Sequence, residues 1–244
     1  MSFCPNIVVL TATIDPSVSN VNIALNNAGE RLNQYLDNIR KIIVNTNVSN
    51  IVFCENSNFL HDYSELQTLA EQHGKSLEVL TFMGSNEIIR AKGKSYGEAE
   101  ILNYAVDNSV LLRGGETAFF KLTGRIFVNN IDEILSSTQY GNIFIRWDMK
   151  KKEVDTRFFK VQVDFYKEHL YGLLDCMDEG HGLSIEEVYY NNLKGNPSIR
   201  PFAIYPDIRG ICASLGKPYD LGLFKSLYRK LQLKAGLLDL RRCT

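Results

Sequence analysis

The sequence lacks the residue spacings that mark several common kinds of site. Its four histidines and five cysteines form no HExxH and no Cys/His pattern suited to zinc, so we expect no structural zinc site. No GxSxG nucleophile elbow occurs, and no GxGxxG follows the first apolar run. These absences argue against an α/β-hydrolase and against a dinucleotide-dependent oxidoreductase.

Neither an excess of one charge nor a long apolar run is present. The 27 basic residues nearly cancel the 28 acidic ones, so we expect no nucleic-acid partner, and any anion site must come from local clustering. No basic segment precedes the first apolar run, and no run approaches the roughly 20 apolar residues that cross a bilayer. We therefore expect a cytoplasmic protein without a signal peptide or a transmembrane helix. The cysteines form no CxxC pair and are predicted to be free thiols.

Alternating apolar and amphipathic segments predict an α/β fold. Residues 6–14, 50–56 and 77–84 have the character of buried strands, and residues 30–45 and 64–74 carry apolar residues at helical spacing. The order β-α-β-α-β favours a mixed, mainly parallel sheet flanked by helices. A chain of 244 residues fits one domain of this type.

Ligands of such sheets bind beyond the carboxyl ends of the strands. The loops at those ends hold the first candidates for a binding site, which are Thr11, Thr13, Asp15, Glu55, Asn56 and Ser57. The second half of the chain alternates less regularly. It predicts strands over residues 119–128 and 141–149, a strand passing into a helix over 154–170, and helices over 129–137 and 184–193.

The segment 90–109 is basic and punctuated by glycine, and it predicts a loop that runs into a helix near Gly97 or Glu98. Lys92 and Lys94 would stand in that loop, where backbone N–H groups and ammonium charges can hold a phosphate. The spacing is not that of a P-loop. A solvated connection with two surface lysines explains the same residues equally well.

Further cations lie near predicted strand ends, at Lys121, Arg125, Arg146 and Arg157. The planar fork of arginine matches two phosphate oxygens, whereas lysine acts as a point charge. The whole set, with the two lysines above, therefore predicts a diphosphate site. Each member taken singly is explained as a surface or ion-paired residue.

Carboxylates near the ends of predicted elements are the candidates for acid–base chemistry and for metal binding. They are Asp148, Asp155, Glu186 and Glu187. A carboxylate next to a sugar hydroxyl can accept its proton, and one next to a diphosphate can hold a metal. The adjacent glutamates also suit the start of a helix, where they complement its dipole. Both explanations stay open.

Several stretches, in order and reaching to about residue 220, resemble bacterial surface-polysaccharide glycosyltransferases of the capsule and O-antigen type. The most specific are ENS, GKSYGE and KLTGR, and TATIDP, ERLNQYLDNI, DTRFFKV and PDIRGICASLGKPYD are similar in pattern. The resemblance implies a GT-A-like fold for residues 1–220, with a nucleotide-binding half followed by an acceptor-binding half. It also implies transfer of a sugar from a nucleotide- or phosphate-activated donor to a glycan acceptor, in the synthesis of capsule or lipopolysaccharide.

The same resemblance implies roles for individual residues. Arg31 would approach the nucleotide, and the helix opened by GKSYGEAE would flank the donor. The strand FFKLTGRIFV occupies the place where GT-A enzymes usually carry an Asp-x-Asp metal motif, which is absent here. Either cationic side chains neutralise the leaving diphosphate, or Asp148 alone holds Mg²⁺ or Mn²⁺. SIEE resembles the acidic motif that supplies the base of inverting GT-A enzymes, which puts forward Glu186 or Glu187.

These arguments assign Glu186 and Asp148 as catalytic candidates, with Asp148 also the candidate metal ligand. The predicted donor-binding residues are Thr11, Thr13, Arg31, Glu55, Asn56, Lys92, Lys94, Glu98, Lys121, Arg125 and Arg157. Three other functions stay open: a phosphoribosyl-type transferase using a sugar-pyrophosphate donor, a nucleotidyltransferase, and a non-catalytic binding member of the fold.

Residues 221–244 are predicted as a separate, basic amphipathic C-terminal helix. Over residues 221–242 the leucines and Phe224 fall mostly on one side, and basic residues outnumber the single acidic Asp239. Such a helix is suited to an anionic membrane surface, which would make the protein peripheral on the inner face of the cell membrane and its acceptor lipid-linked. Docking of the apolar side on the core explains the pattern equally well.

Overall fold

The structure is a computed structural model that describes residues 6–19, 25–113, 117–138, 140–211, 218–219 and 222–243. Its strands are β1 (Ile7–Ala12), β2 (Asn50–Glu55), β3 (Ser76–Thr81), β4 (Ala118–Thr123), β5 (Ile126–Val128), β6 (Phe158–Gln162) and β7 (Ile208–Gly210). Its helices are α1 (Ala28–Asn45), α2 (Ser64–Gln72), α3 (Asn86–Lys92), α4 (Lys94–Asn108), α5 (Ile131–Ser137), α6 (Val163–His169), α7 (Ile185–Leu193) and α8 (Gly222–Lys234).

The central sheet is mixed and mainly parallel. Its strand order over the described residues is β3-β2-β1-β4-β6. Strands β1 to β4 run parallel, and β6 is antiparallel to β4. Strands β5 and β7 form a separate antiparallel pair. This architecture confirms the predicted α/β class with a mainly parallel sheet flanked by helices.

Helices cover both faces of the sheet, which explains the uninterrupted apolar runs of its strands. All residues of β1 are buried. Leu10 belongs to the apolar cluster that includes Ile39 of α1, whereas Val9 belongs to the cluster that includes Leu102 of α4. Burial of each such side chain contributes about 1.5–3 kcal/mol. The two helical layers therefore hold the strand ends, and the loops that follow them, in fixed positions.

The predicted fourth strand is two strands joined by a turn at Gly124 and Arg125. The Gly124 N–H donates to the Thr11 carbonyl at 2.9 Å, so the turn lies directly against β1. Asn38 of α1 donates to the Gly124 carbonyl at 2.9 Å. A Cβ on Gly124 would lie 2.8 Å from the Thr11 oxygen and 3.0 Å from the Tyr35 ring. Glycine is needed here because the backbone approaches its neighbours so closely.

Residues 141–149 were predicted as a strand, and that prediction is wrong. Ile143 forms isolated bridges with Lys160 of β6 and with Arg200, and no ladder continues from them. Residues 142–145 are as buried as a strand. Its backbone hydrogen bonds are divided among different segments, a property that composition does not reveal.

The segment predicted as a basic loop is helical. It forms the end of α3 and the start of α4, which begins at Lys94 rather than near Gly97. Only Gly93 separates the two helices, and its φ of +99° is a conformation that glycine adopts readily. The side chains of Lys92 and Lys94 are therefore placed by helices and not by a mobile connection.

The C-terminal helix is shorter than predicted, because α8 ends at Lys234. Gly236 has a φ of +71°, and its N–H donates to the Leu233 carbonyl at 2.9 Å. A glycine in this left-handed conformation is a common helix stop. The prediction of one continuous helix to residue 242 is therefore wrong.

None of the helices in the described parts of the chain is long and apolar enough to cross a membrane. The cysteines that the structure describes are free, as predicted, and they are Cys54, Cys176 and Cys243. The other two cysteines lie outside the described residues. So do the predicted boundary at residues 220–221 and residues 212–217 of the motif PDIRGICASLGKPYD.

Gly124→Ala is expected to lower the free energy of unfolding by about 1–3 kcal/mol, because the added methyl group forces the turn away from β1. The measurement is urea denaturation followed by circular dichroism. Gly172→Ala is the matched control, since a Cβ at Gly172 has no neighbour within 4 Å. Equal stability of both variants would show that the turn has room for a side chain.

Candidate functional site

A cleft lies at the carboxyl ends of β1 and β4, beside the first turn of α4. The predicted donor-site residues that line this cleft are Thr11, Thr13, Arg31, Asn56, Lys94, Glu98 and Arg125. Tyr35, Asn86 and Thr123 line it as well. The strand order therefore brings together the loops after β1, β2 and β4, as the general rule for parallel sheets predicts.

Arg31 and Tyr35 of α1 hold the loop that follows β1. Arg31 is buried, and its Nε donates to the Thr13 carbonyl at 2.7 Å. The Tyr35 hydroxyl accepts the Thr13 N–H at 3.1 Å. Burial, together with the charge of nearby Arg125, lowers the pKa of Arg31. Because an arginine starts from so high a value, the side chain remains a cation.

Arg125 reaches the same place from the turn after β4. Its guanidinium carbon lies 5.8 Å from the centre of the Tyr35 ring, and that of Arg31 lies 6.0 Å from it. Nη1 of Arg125 donates to Gln34 at 3.2 Å, while its Nε is buried with no hydrogen-bond partner among the residues that the structure describes. Across the described residues, neither arginine forms an ion pair with a carboxylate.

Two buried cations without counter-ions indicate an anion site. Burial of an unpaired charge is costly, and two like charges close together add repulsion. A negatively charged ligand in the cleft would relieve both. A diphosphate suits this site because Arg125, whose guanidinium donates only to Gln34 among the described residues, can donate to two of its oxygens. The Arg31 guanidinium already donates to the carbonyls of Thr13 and Leu25, so it contributes its positive charge.

The loop after β2 contributes one residue to the cleft wall and one beneath it. Asn56 lines the cleft and accepts a hydrogen bond from the Thr13 hydroxyl at 2.7 Å. Glu55 is fully buried and accepts hydrogen bonds from the N–H groups of Ser57 and Phe59, at 2.5 and 3.1 Å. Glu55 therefore shapes the loop from inside and does not face the cleft.

The N-terminus of α4 already holds a carboxylate. Glu179 accepts from the backbone N–H of Ser95 at 3.2 Å and from its hydroxyl at 2.5 Å. A Cβ on Gly93 would collide with the Glu179 side chain, which explains the glycine. Lys92 points away from the cleft and donates to the Asp175 carbonyl at 2.9 Å. Of the two lysines predicted here, only Lys94 lines the cleft.

Lys121 lies on the buried face of β4 and not in the cleft. Its ammonium group is ion-paired with Glu98 and donates to Thr123 at 3.0 Å and to the Thr156 carbonyl at 2.6 Å. The side chain is completely buried. All three donor hydrogens of the ammonium group thus have partners within the protein. Lys121 anchors Glu98, which does face the cleft.

Glu186 and Glu187 have separate roles in the structure. Glu187 completes a capping box with Ser184 at the start of α7, so helix-start chemistry accounts for it. Glu186 accepts a hydrogen bond from the Thr156 hydroxyl at 3.0 Å. Burial and the charge of Glu98 raise the pKa of Glu186. Glu186 does not line the cleft but stands next to Glu98, which does.

Arg157 and Asp148 lie away from the cleft. Arg157 is ion-paired with Asp155 at 2.7 Å, and its guanidinium stacks 4.0 Å from the centre of the Trp147 ring. Asp148 is ion-paired with Arg229 of α8 at 3.1 Å. The backbone N–H of Lys150 and the charge of Arg229 lower the pKa of Asp148.

The residues around Asp148 do not fit a metal centre. Its partner is a cation, and the described residues contain no group of three or more His, Cys, Asp or Glu side chains that could hold a metal ion. The cleft carboxylate Glu98 is itself neutralised by Lys121. The positive charges that line the cleft are those of Arg31, Arg125 and Lys94.

Tyr35 is one of the cleft residues that the sequence did not reveal. Its position in α1 falls on the apolar face, so it is indistinguishable from a core residue by spacing alone. Only the approach of Arg31 and Arg125 to its ring, and of Thr13 to its hydroxyl, shows its second role.

Comparison with known proteins supports the fold. No family model and no curated protein matches the sequence. Among solved structures, the glycosyltransferase GlyE of Streptococcus pneumoniae TIGR4 is similar with a TM-score of 0.51 and 9% identity, over 82% of this chain and 45% of GlyE. This chain thus spans less than half the length of GlyE. The likeness agrees with the predicted GT-A-like fold, and at this identity it concerns the fold alone.

A second solved structure is a Bacillus anthracis protein described as a glucose-1-phosphate thymidylyltransferase. It is similar with a TM-score of 0.45 and 13% identity over 94% of both chains. At this lower TM-score the likeness does not bear on the fold.

Lys121→Met is expected to destabilise the protein by about 3 kcal/mol, because Glu98 loses its partner. The measurement is the free energy of unfolding in urea. A second substitution, Glu98→Gln, should restore part of the loss. Lys151→Met is the control, since that exposed pair with Glu153 contributes little. If Lys121→Met keeps normal stability but binds a nucleoside diphosphate more weakly, Lys121 is instead a residue that contacts the ligand.

Proposed function

We propose that this protein is a glycosyltransferase that moves a sugar from a nucleotide- or phosphate-activated donor to a glycan acceptor. The glycan would belong to a bacterial surface polysaccharide, such as capsule or lipopolysaccharide. The two buried arginines next to Tyr35, neither of which forms an ion pair within the described parts of the chain, carry the proposal. The sequence resemblance to surface-polysaccharide glycosyltransferases supports it, and the fold shared with GlyE is compatible with it.

The arginines suit the leaving group of such a reaction. When the bond between the sugar and the phosphate oxygen breaks, the electron pair leaves with the diphosphate. Arg31 and Arg125 are positioned before the reaction and can stabilise that growing negative charge. In this role they replace the divalent metal that an Asp-x-Asp motif would hold. We therefore expect donor binding to need little or no Mg²⁺ or Mn²⁺.

The acceptor would bind along the same edge of the sheet, over the start of β6. Strand β6 is antiparallel, so its first residues stand beside the carboxyl end of β4. Just before β6, Thr156 contacts Glu186, and Arg157 stacks on Trp147. The Glu186 carboxylate, which stands next to the cleft residue Glu98, is suited to holding a sugar hydroxyl near the anomeric carbon.

Glu186 is the proposed general base. As the acceptor oxygen attacks the anomeric carbon, its proton passes to the Glu186 carboxylate. The raised pKa of Glu186 makes that carboxylate a stronger base than an exposed glutamate. The ion pair between Lys121 and Glu98 lies next to Glu186 and determines the charge around its carboxylate.

The wild-type protein is expected to gain thermal stability with nucleoside diphosphates or nucleotide sugars, with or without Mg²⁺, because a ligand of the native state raises the unfolding temperature. Arg125→Ala should weaken the affinity about tenfold to hundredfold through loss of a charged hydrogen-bond donor. Thermal shift and calorimetric titration with uridine diphosphate and with inorganic pyrophosphate measure this effect.

Arg40→Ala is the matched control for Arg125→Ala. Arg40 lies on α1, is exposed, and forms an ion pair with Glu65 at 3.1 Å. Arg40→Ala should leave the affinity for uridine diphosphate and pyrophosphate unchanged.

The ligands that stabilise the wild-type protein also separate the alternative functions. A thermal shift only with phosphoribosyl pyrophosphate would favour a phosphoribosyl-type transferase, and a strict Mg²⁺ requirement with nucleoside triphosphates would favour a nucleotidyltransferase. No shift with any of these compounds would argue for a non-catalytic protein.

Glu186→Gln is expected to lower turnover about 10²–10⁴-fold with donor affinity unchanged, because the acceptor proton loses its base. The assay is release of nucleoside diphosphate from the nucleotide sugar that gives the largest thermal shift. Glu187→Gln is the control, which keeps the capping box because a glutamine side chain can accept the same hydrogen bond, and it should retain both stability and turnover. Normal turnover of Glu186→Gln would exclude Glu186 as the base.

Glu186→Gln should also change how the stability of the protein depends on pH. The raised pKa of Glu186 means that the folded protein holds a proton more tightly than the unfolded chain. Wild-type stability therefore falls as pH rises from the ordinary value of 4.5 through the raised one. Glu186→Gln should be at least as stable as wild type at pH 7, with the difference shrinking toward acid pH in thermal melts.

A further inference from the structure

The exposed face of α8 is apolar. Phe224, Leu227, Tyr228 and Leu231 recur at intervals of three and four residues, which places them on one side of the helix. All four are exposed, and Phe224 is 92% exposed. Contiguous apolar side chains on a protein surface mark a site of contact with something else.

The opposite side of α8 is the one that contacts the rest of the protein, and it is largely polar. Gln232 and Leu233 are buried there. Arg229 is ion-paired with Asp148 at 3.1 Å, and Gln232 donates to the Met149 sulfur at 3.0 Å. Docking on the core, which the sequence left open, holds for Leu233 but not for the four exposed side chains of the stripe.

Positive charge surrounds the apolar stripe. Helix α8 contains no Asp or Glu, and its exposed cations are Lys225, Lys230 and Lys234. The contacts of Asp148 and Met149 with α8 also bring the exposed residues 150–152, which are three consecutive lysines, next to the helix. Lys151 forms an ion pair with Glu153 at 3.2 Å. The lysines of the loop are distant in sequence, so only the tertiary structure adds them to this surface.

We infer that the α8 face, meaning the stripe Phe224, Leu227, Tyr228 and Leu231 with its surrounding lysines, binds the surface of an anionic lipid bilayer. The apolar side chains would enter the boundary between headgroups and acyl chains while the lysines contact the lipid phosphates. A second copy of the chain is a poorer occupant, because it would bring the same positive charges together. The inference does not depend on the proposed function.

If both proposals hold, the acceptor is a lipid-linked glycan. A protein held at the bilayer meets a lipid-anchored acceptor at a high local concentration. The donor cleft and α8 share no residues. Their activities can therefore be tested one at a time.

The test is flotation of the full chain with vesicles of phosphatidylcholine alone or mixed with phosphatidylglycerol. We expect binding only to the mixed vesicles and weaker binding at high salt, which screens the lysines. Phe224→Ser combined with Leu227→Ser and Leu231→Ser should lower partitioning about tenfold or more, through loss of the inserted apolar area. Lys225→Glu combined with Lys230→Glu should lower binding to the anionic vesicles as well.

The matched control replaces exposed apolar residues elsewhere, as Val44→Ser, Leu60→Ser and Val110→Ser, and should retain wild-type flotation. Circular dichroism and thermal melts check that each variant folds. Binding that is absent, or that survives the substitutions in α8, would overturn the inference. So would a dimer in size-exclusion chromatography that the α8 variant abolishes while wild-type flotation is absent.

The two proposals fail separately. Arg125→Ala should float like the wild-type protein, and the α8 variant should keep its thermal shift with uridine diphosphate. Loss of flotation with a normal thermal shift would reject only the membrane surface. A normal flotation without any nucleotide effect would reject only the proposed function.

Discussion

The candidate site depends on the close approach of Gly124 to β1. The absence of a side chain lets the turn donate its N–H to the Thr11 carbonyl at 2.9 Å and rest against the Tyr35 ring. This contact ends β4 and precedes β5, and Arg125 of the same turn lies beside the Tyr35 ring. Arg31 meets the same ring from α1. The contact between the two backbones thus helps to position Arg125, whereas α1 positions Arg31.

Lys121 and Arg125 of the motif KLTGR have different environments because Lys121 lies within a strand and Arg125 lies in the turn that follows it. Lys121 is inside β4, where side chains alternate between the two faces, and its ammonium group is enclosed by Glu98, Thr123 and Thr156. Arg125 follows the strand, and its Nε has no partner. A buried cation that is fully hydrogen-bonded stabilises the fold around it, whereas one left without a counter-ion is suited to a ligand.

Positive charges are concentrated at two surfaces of the protein, although its net charge is only −1. Buried arginines stand in the cleft, and exposed lysines surround the apolar stripe of α8. A buried guanidinium acts at short range and with defined geometry, as a diphosphate requires. Exposed lysines on flexible stems act over about a Debye length and need no fixed geometry, as a lipid surface requires.

The sequence by itself determined the α/β class, the first three strands and their helices, and the helices over α5 and α7, because apolar periodicity reports burial within one element. The rule that the ends of parallel strands meet at one edge predicted Asn56, the cations near strand ends predicted Arg125, and the family resemblance implied Arg31; all three line the cleft. Only the tertiary structure decided that Lys121 is paired, that residues 141–149 form no strand, and that α8 turns its apolar side outward. Each of these depends on partners distant in sequence, and a spacing pattern carries no information about which partner a side chain meets.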